Sequence, residues 1–254
     1  MDIGQMKILV TGGGSGMGRA FVLALADLGA SVAFCDIDPN ALQGTTDAAA
    51  GKPGRVVGLV ADVANEESVT KLINDAHEAL GGLDGLVNNA GIFRDGLLVK
   101  QEKDGTLKKM SLAHWNQVIA VDLTGPFLCA REFTAKMIET GTKRSAIVNI
   151  SSIARHGNPG QSNYSAAKAG LVADTKVWGT ELARYGIRVG AIAPGFVDTP
   201  ILQGMRPEVL EGMLKGVPLR RAAAPYEVFL AVKFIFECDY FTGRCIDVDG
   251  GMVV

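Results

Sequence analysis

The sequence predicts an α/β protein organised around one doubly wound parallel sheet of about seven strands, with helices on both of its faces. Three observations predict it. Short apolar runs alternate with stretches of helical periodicity from end to end. The runs are continuous rather than alternating, as strands covered on both faces require. The first of them leads through a glycine cluster straight into the first helix.

Residues 7–10 (Lys-Ile-Leu-Val) form the first strand, and the turn Thr11-Gly12-Gly13-Gly14-Ser15-Gly16-Met17-Gly18 follows it. Helical spacing of apolar residues then runs over 19–28 and stops at Gly29. Strand two, 31–35, is ended by Asp36. In Asp38-Pro39-Asn40 a cap residue precedes a proline, which starts a helix reaching residue 50. Strand three, 55–60, gives way to Asp62-Val63 and a helix over 66–80. Strand four is 85–89. The charged stretch 94–109, with Lys100, Glu102, Lys103, Asp104, Lys108 and Lys109, reads as a solvated surface excursion. One long helix is predicted from 111 to 141. Strand five, 146–150, runs into Ser151-Ser152, and the helix carrying Tyr164 extends to 185. Strand six, 187–193, closes on Pro194-Gly195. Helices at 206–215 and 224–238 precede a last strand, 245–248, and then Gly250-Gly251. No linker or repeat interrupts the pattern, so residues 1–254 are expected to form a single domain.

Composition narrows the function classes. Hydrophobic residues make up 48% of the 254 and charged residues 20%, enough for a sizeable core and against disorder. A net charge of −2 gives no electrostatic case for nucleic acid or an anionic membrane. No apolar run approaches a membrane span, and no basic segment followed by an apolar one opens the chain, so a cytoplasmic protein is expected. Cys35, Cys129, Cys238 and Cys245 show no metal-type spacing, and His77, His114 and His156 are scattered, so no metal site is expected.

Two groups of residues carry chemistry. The first is the glycine turn, which follows a strand and opens a helix. Gly12, Gly16 and Gly18 let the backbone approach a pyrophosphate, and the helix N-terminus supplies N–H donors and a positive dipole end. Asp36 ends the second strand, where a carboxylate meets the ribose hydroxyls of a bound NAD and repels the extra phosphate of NADP. No arginine or lysine follows in Ile37-Asp38-Pro39-Asn40, so NAD is the expected cofactor. The second group is Tyr164 and Lys168, four apart in Tyr164-Ser165-Ala166-Ala167-Lys168. On a helix that spacing puts both on one face. A cation beside a phenol favours the phenolate and lowers the phenol pKa, which suits proton exchange with an alcohol or carbonyl oxygen.

With these motifs the chain resembles the short-chain dehydrogenase/reductases over nearly its whole length. The resemblance rests on Thr11 to Gly18, Asp62-Val63, Asn88-Asn89-Ala90-Gly91, Ser151-Ser152, Tyr164 to Lys168, Pro194-Gly195 and Asp249-Gly250-Gly251. It implies a Rossmann-like fold and reversible hydride transfer between NAD(H) and a secondary alcohol or ketone. Tyr164 is then the general acid/base, and Lys168 lowers its pKa and holds the nicotinamide ribose. A serine bonds the substrate oxygen. Gly12, Ser15, Gly16, Met17, Gly18 and Asp36 bind the cofactor, and Asp62 and Val63 contact its adenine. Asn88, Ala90 and Gly91 line it behind strand four. Pro194, Gly195, Val197 and Thr199 border its nicotinamide end, with Thr199 on the carboxamide and the pro-S face donating hydride. A homotetramer is implied, with the long helices from Ser111 and Tyr164 and the C-terminal segment at interfaces.

Two departures from the family pattern stand out. The segment from Ser152 to Tyr164 is one residue short, so the strand end points to Ser152 as the catalytic serine while counting back from Tyr164 points to Ser151; Ser152 is preferred because loops absorb deletions more easily. Asp122 stands where the family usually has an asparagine that holds a relay water, and it joins Ser152, Tyr164 and Lys168 as a candidate catalytic residue. A substrate lid is expected over 195–216, with Phe196, Ile201, Leu202 and Met205. Phe93 and Leu97 are candidates for an apolar wall; Arg155 and His156 lie where a substrate could reach them, and Arg155 leaves room for an acidic substrate group. Two other readings stand beside the NAD-linked one: an NADPH-dependent ketoacyl-type reductase, and a catalytically impaired regulatory protein of the same fold.

Overall fold

The structure is a computed structural model that describes residues 1–252, and the side chain of every one of these except Ile201. Seven parallel strands form one sheet: β1 (Lys7–Thr11), β2 (Ser31–Asp36), β3 (Val56–Val60), β4 (Gly85–Asn88), β7 (Ser145–Ile150), β8 (Ile187–Pro194) and β9 (Arg244–Val248). Their order is β3-β2-β1-β4-β7-β8-β9. The chain therefore winds outward from β1 in one direction, then returns to the other side at β4. That reversal opens a crevice at the carboxyl ends of β1 and β4, the place where open α/β sheets bind ligands.

Alternation along each strand feeds two cores. Ile8 and Val10 of β1 face one side, with Phe21 and Leu25 of α1 (Gly16–Asp27) and Phe229 and Ile235 of α9 (Pro225–Glu237). Leu9 faces the other side, with Leu72 and Ile73 of α3 (Glu66–Leu80) and Phe133 and Met137 of α5 (Gly125–Glu139). Both faces of the sheet are covered, which is why its strands read as unbroken apolar runs. The remaining helices are α2 (Pro39–Ala48), α4 (Leu112–Ile119), α6 (Ser162–Glu181), α7 (Pro200–Gln203) and α8 (Pro207–Leu214). Among the described residues no helix is long and apolar enough to cross a membrane.

The stretch 94–109 is exposed over nearly all its length, as a solvated excursion is, and it carries a hairpin that the sequence does not single out: β5 (Val99–Gln101) and β6 (Leu107–Lys109) pair antiparallel. Its tip is Asp104-Gly105, with Gly105 at φ 85°, a turn signal that the surrounding charges obscure. The long helix predicted from 111 is interrupted by one π turn, Ala120–Thr124, between α4 and α5. Pro126 has no N–H to give the Asp122 carbonyl, so the regular ladder cannot run through this point.

Candidate active site

The glycine turn sits in the crevice between β1 and β4. Gly12 and Gly16 take φ 65° and 52°, a region that L side chains rarely adopt. Helix α1 begins at Gly16, and its N-cap Ser15 makes no side-chain cap bond, so the first N–H groups of the helix lack that partner. Asn89 clamps the turn to β4: its Nδ2 donates to the carbonyls of Thr11 and Gly12 at 3.0 and 3.2 Å. In return Thr11 Oγ1 accepts from the N–H groups of Asn89 and Ala90. Gly18 packs directly under the turn, where a Cβ would lie 2.0 Å from the Gly12 carbonyl oxygen and 2.5 Å from Asn89 Nδ2. Gly18→Ala should therefore destabilise the fold by about 1–3 kcal/mol and weaken dinucleotide binding, read by thermal unfolding and NADH titration. A variant with native melting and native NADH affinity would show the contact to be pliable.

Asp36 closes β2 beside this turn. Its Oδ2 accepts from Gly14 N at 3.1 Å and its Oδ1 from Asp38 N at 3.2 Å. A Cβ on Gly14 would come within 2.7 Å of Oδ2, so the carboxylate is seated against bare backbone. Asp62 is exposed at the end of β3, and the Val63 side chain is buried against Gly125, which leaves only the Val63 main chain for a ligand. Met17 is half-buried against the core. Asn88 Nδ2 donates to Asn149 Oδ1 at 2.9 Å, and Asn149 Nδ2 to Thr175 Oγ1, while the buried Asn88 Oδ1 has no protein partner. Ala90 is half-buried and Gly91 exposed at the crevice. Across it, Pro194 and Val197 are buried and Val197 bridges to Ala223, while Gly195 N–H donates to the Val248 carbonyl. Thr199 reaches back to the turn, with its Cγ2 3.7 Å from where a Cβ on Gly16 would stand. The bare turn, the uncapped helix start and the seated carboxylate together fit a dinucleotide.

Tyr164 and Lys168 share one face of α6, as their spacing predicts. Asn163 orients the tyrosine: Oδ1 accepts from Tyr164 N at 2.8 Å, and Nδ2 donates to the carbonyls of Arg94 and His114. Nothing in the sequence singled out Asn163, which is fully buried. The Phe93 ring packs on the Tyr164 ring at 4.6 Å between centroids, tilted by 41°. Tyr164 is 8% exposed. Burial pushes its pKa above the ordinary 10.0; Lys168 pulls it down, Asp122 raises it, the Ser152 hydroxyl lowers it and Asp95 raises it, and the upward effects win. Lys168 Nζ lies 5.4 Å from the Tyr164 ring centroid and donates to the Ile150 carbonyl at 3.1 Å.

The two serines do different things. Ser151 is buried and donates to the Lys168 carbonyl at 2.8 Å, tying α6 to the end of β7. Ser152 is half-buried, accepts from Ala154 N at 3.1 Å and stands on the Tyr164 side, where its hydroxyl lowers the phenol pKa. Asp122 lies inside the cluster, brought there by the π turn. Arg155 does not stand free for a substrate. It forms a two-pronged ion pair with Asp247 of β9, at 2.6 and 3.1 Å. That partner comes from the far end of the chain, out of reach of any local reading. His156 is exposed.

The family model described as enoyl-(acyl carrier protein) reductase matches residues 12–253. The 3-oxoacyl-[acyl-carrier-protein] reductase of Thermotoga maritima is 38% identical over 249 residues, covering 97% of this chain and 97% of that protein. The acetoacetyl-CoA reductase of Synechocystis sp. is 38% identical over 247 residues, covering 96% and 94%. Among solved structures, a protein of Sinorhizobium meliloti 1021 described as a short-chain alcohol dehydrogenase superposes with a TM-score of 0.87 at 33% identity, over 96% of this chain and 94% of that one.

Proposed function

The chain belongs to the short-chain dehydrogenase/reductase family, a family of oxidoreductases, and from that membership we propose that it is an NAD(H)-dependent reductase of 3-oxoacyl thioesters that also runs the reverse oxidation of the 3-hydroxy product. The observation that carries the reading is the grouping of Tyr164, Ser152 and Lys168 beside a crevice fitted for a dinucleotide. The thioester class is supported by the names of the Thermotoga and Synechocystis relatives. Preference for NAD(H) over NADP(H) is supported by the half-buried Asp36 carboxylate.

When bound, the nicotinamide cofactor supplies or receives the hydride. The glycine turn and the start of α1 would hold its pyrophosphate, Asp36 its adenosine ribose, and Asp62 with the Val63 main chain its adenine. Ala90, Gly91, Gly195 and Thr199 would flank the nicotinamide half. In reduction, Tyr164 gives its hydroxyl proton to the carbonyl oxygen of the substrate; in oxidation it takes that proton back. Ser152 donates a hydrogen bond to the same oxygen and polarises the carbonyl. The packing of Phe93 on Tyr164 keeps water from the phenol ring and offers an apolar wall to the substrate. Residues 195–216, which include α7 and α8, form the lid of this single catalytic domain; their exposed Met205 and Val209 support this, as does the buried Leu202 that anchors them. Exposed Phe127 and Ile138 on α5, Val177 on α6 and Phe234 on α9 support a homo-oligomer, and a monomer in light scattering would count against it.

Parallel kcat/KM measurements on a short 3-oxoacyl thioester and a simple ketone, each with NADH and NADPH, test the reading. The thioester with NADH should give the highest value. Turnover of the ketone alone would return the assignment to a simple alcohol/ketone dehydrogenase. NADH binding without any turnover would make this a cofactor-binding protein that has lost catalysis.

A further inference from the structure

The Tyr164–Lys168 pair has a third ionisable neighbour, buried more deeply than either. Asp122 is 0% exposed, and its Oδ2 lies 3.1 Å from Lys168 Nζ, itself on a residue only 3% exposed. Its Oδ1 accepts from Ile92 N at 2.9 Å. Gly91 leaves room for the arrangement: a Cβ there would stand 2.8 Å from Oδ2 and 3.5 Å from Lys168 Nζ. The Lys168 ammonium is thus enclosed by a carboxylate, the Ile150 carbonyl and the Tyr164 ring.

Resting on the reductase reading above, we propose that Asp122 is a positioning residue that, through its ion pair with Lys168, keeps Tyr164 protonated, so that ketone reduction persists to higher pH and alcohol oxidation is confined to more alkaline solution. A lone ammonium beside a phenol favours phenolate. A carboxylate 3.1 Å from that ammonium turns it into half of a nearly neutral pair, whose field at the phenol is much weaker. Burial of Lys168 works against its charge, but Asp122 and Tyr164 outweigh it and hold its pKa above the ordinary 10.5. Burial also raises Asp122, with Lys168 and the Ile92 N–H opposing. Asp95, on the loop after β4, pushes Tyr164 the same way as Asp122, while Ser152 pushes it the other way. The three buried groups titrate as one unit.

The sign follows from the proton. Reduction uses Tyr164 with its proton, regained from solvent after each turnover, and fades as pH rises through the phenol pKa. Oxidation uses the phenolate and grows through that same pKa. Raising it widens the first range and narrows the second, while the overall equilibrium of the reaction is unchanged.

Asp122→Asn removes the charge and keeps an acceptor for Ile92 N–H. The decisive measurement is made without cofactor: pH titration of the tyrosinate ultraviolet band, with Tyr164→Phe subtracted as a blank. Tyr164 should ionise at lower pH in Asp122→Asn than in the native protein. In kinetics, the acid limb of kcat for oxidation should move down, raising oxidation near neutral pH about tenfold, with the NADH Kd unchanged. An unchanged tyrosinate midpoint overturns the proposal. If the variant does not fold, the native protein decides alone: a Tyr164 component titrating below free tyrosine overturns it. A shifted tyrosinate midpoint in a protein that turns over no substrate would count against the reductase reading and leave the role of Asp122 standing.

Discussion

Tyr164→Phe should lower kcat by about 10²- to 10⁴-fold in both directions while leaving NADH affinity and thermal stability close to native. Only the hydroxyl is lost. The ring keeps its packing against Phe93 and its place in the small cluster with Val118, Ala154 and Ala167. The hydroxyl combines an exchangeable proton, a neighbouring Ser152 that lowers its pKa and a cation 5.4 Å from its ring centroid. Stopped-flow hydride transfer in the variant separates this loss from slow product release. Turnover within a few-fold of native would remove Tyr164 as the proton donor and, with it, the assignment.

The second large effect is expected at Asp36. Asp36→Ser should shift the ratio of kcat/KM for NADH over NADPH toward NADPH by about 10- to 100-fold, because a phosphate beside a half-buried carboxylate meets a like charge in a medium less polar than water. The substitution also loses one of two acceptors, for Gly14 N or Asp38 N, so a small loss of stability accompanies it. Kinetics with both cofactors, in native protein and variant, decide the matter. A native enzyme that already prefers NADPH, or a ratio untouched by the substitution, would show that Asp36 serves the turn and not the choice of cofactor.

Much of this molecule is legible without coordinates, because its rules are local. A strand, a glycine turn and a helix in succession fix the crevice, and a four-residue interval fixes the shared face of Tyr164 and Lys168. The rest depends on partners distant in sequence. Which serine faces the tyrosine is set by the Lys168 carbonyl capturing Ser151, and no count along the loop reveals that. Arg155 reads as a free cation until Asp247 appears 92 residues later. The π turn at Ala120–Thr124 hides within strong helical periodicity, and only Gly125-Pro126 hints at it. Asn163 and Asn149 are ordinary polar residues in the sequence; their burial, and hence their importance, exists only once the helices have packed.

The β5–β6 hairpin also offers a practical handle. Its tip is exposed from Lys103 to Thr106, and nothing stands within 4 Å of a Cβ placed on Gly105. Its base is stitched to the site, since Gly96 N donates to the Gly160 carbonyl and Gln161 Nε2 to the Asp95 carboxylate. A fluorophore or short epitope grafted at the tip would sit on chain that the sheet does not need, yet remain attached to the segment leading into Tyr164. The protein thus carries a mounting point for a reporter of events at the proposed active site.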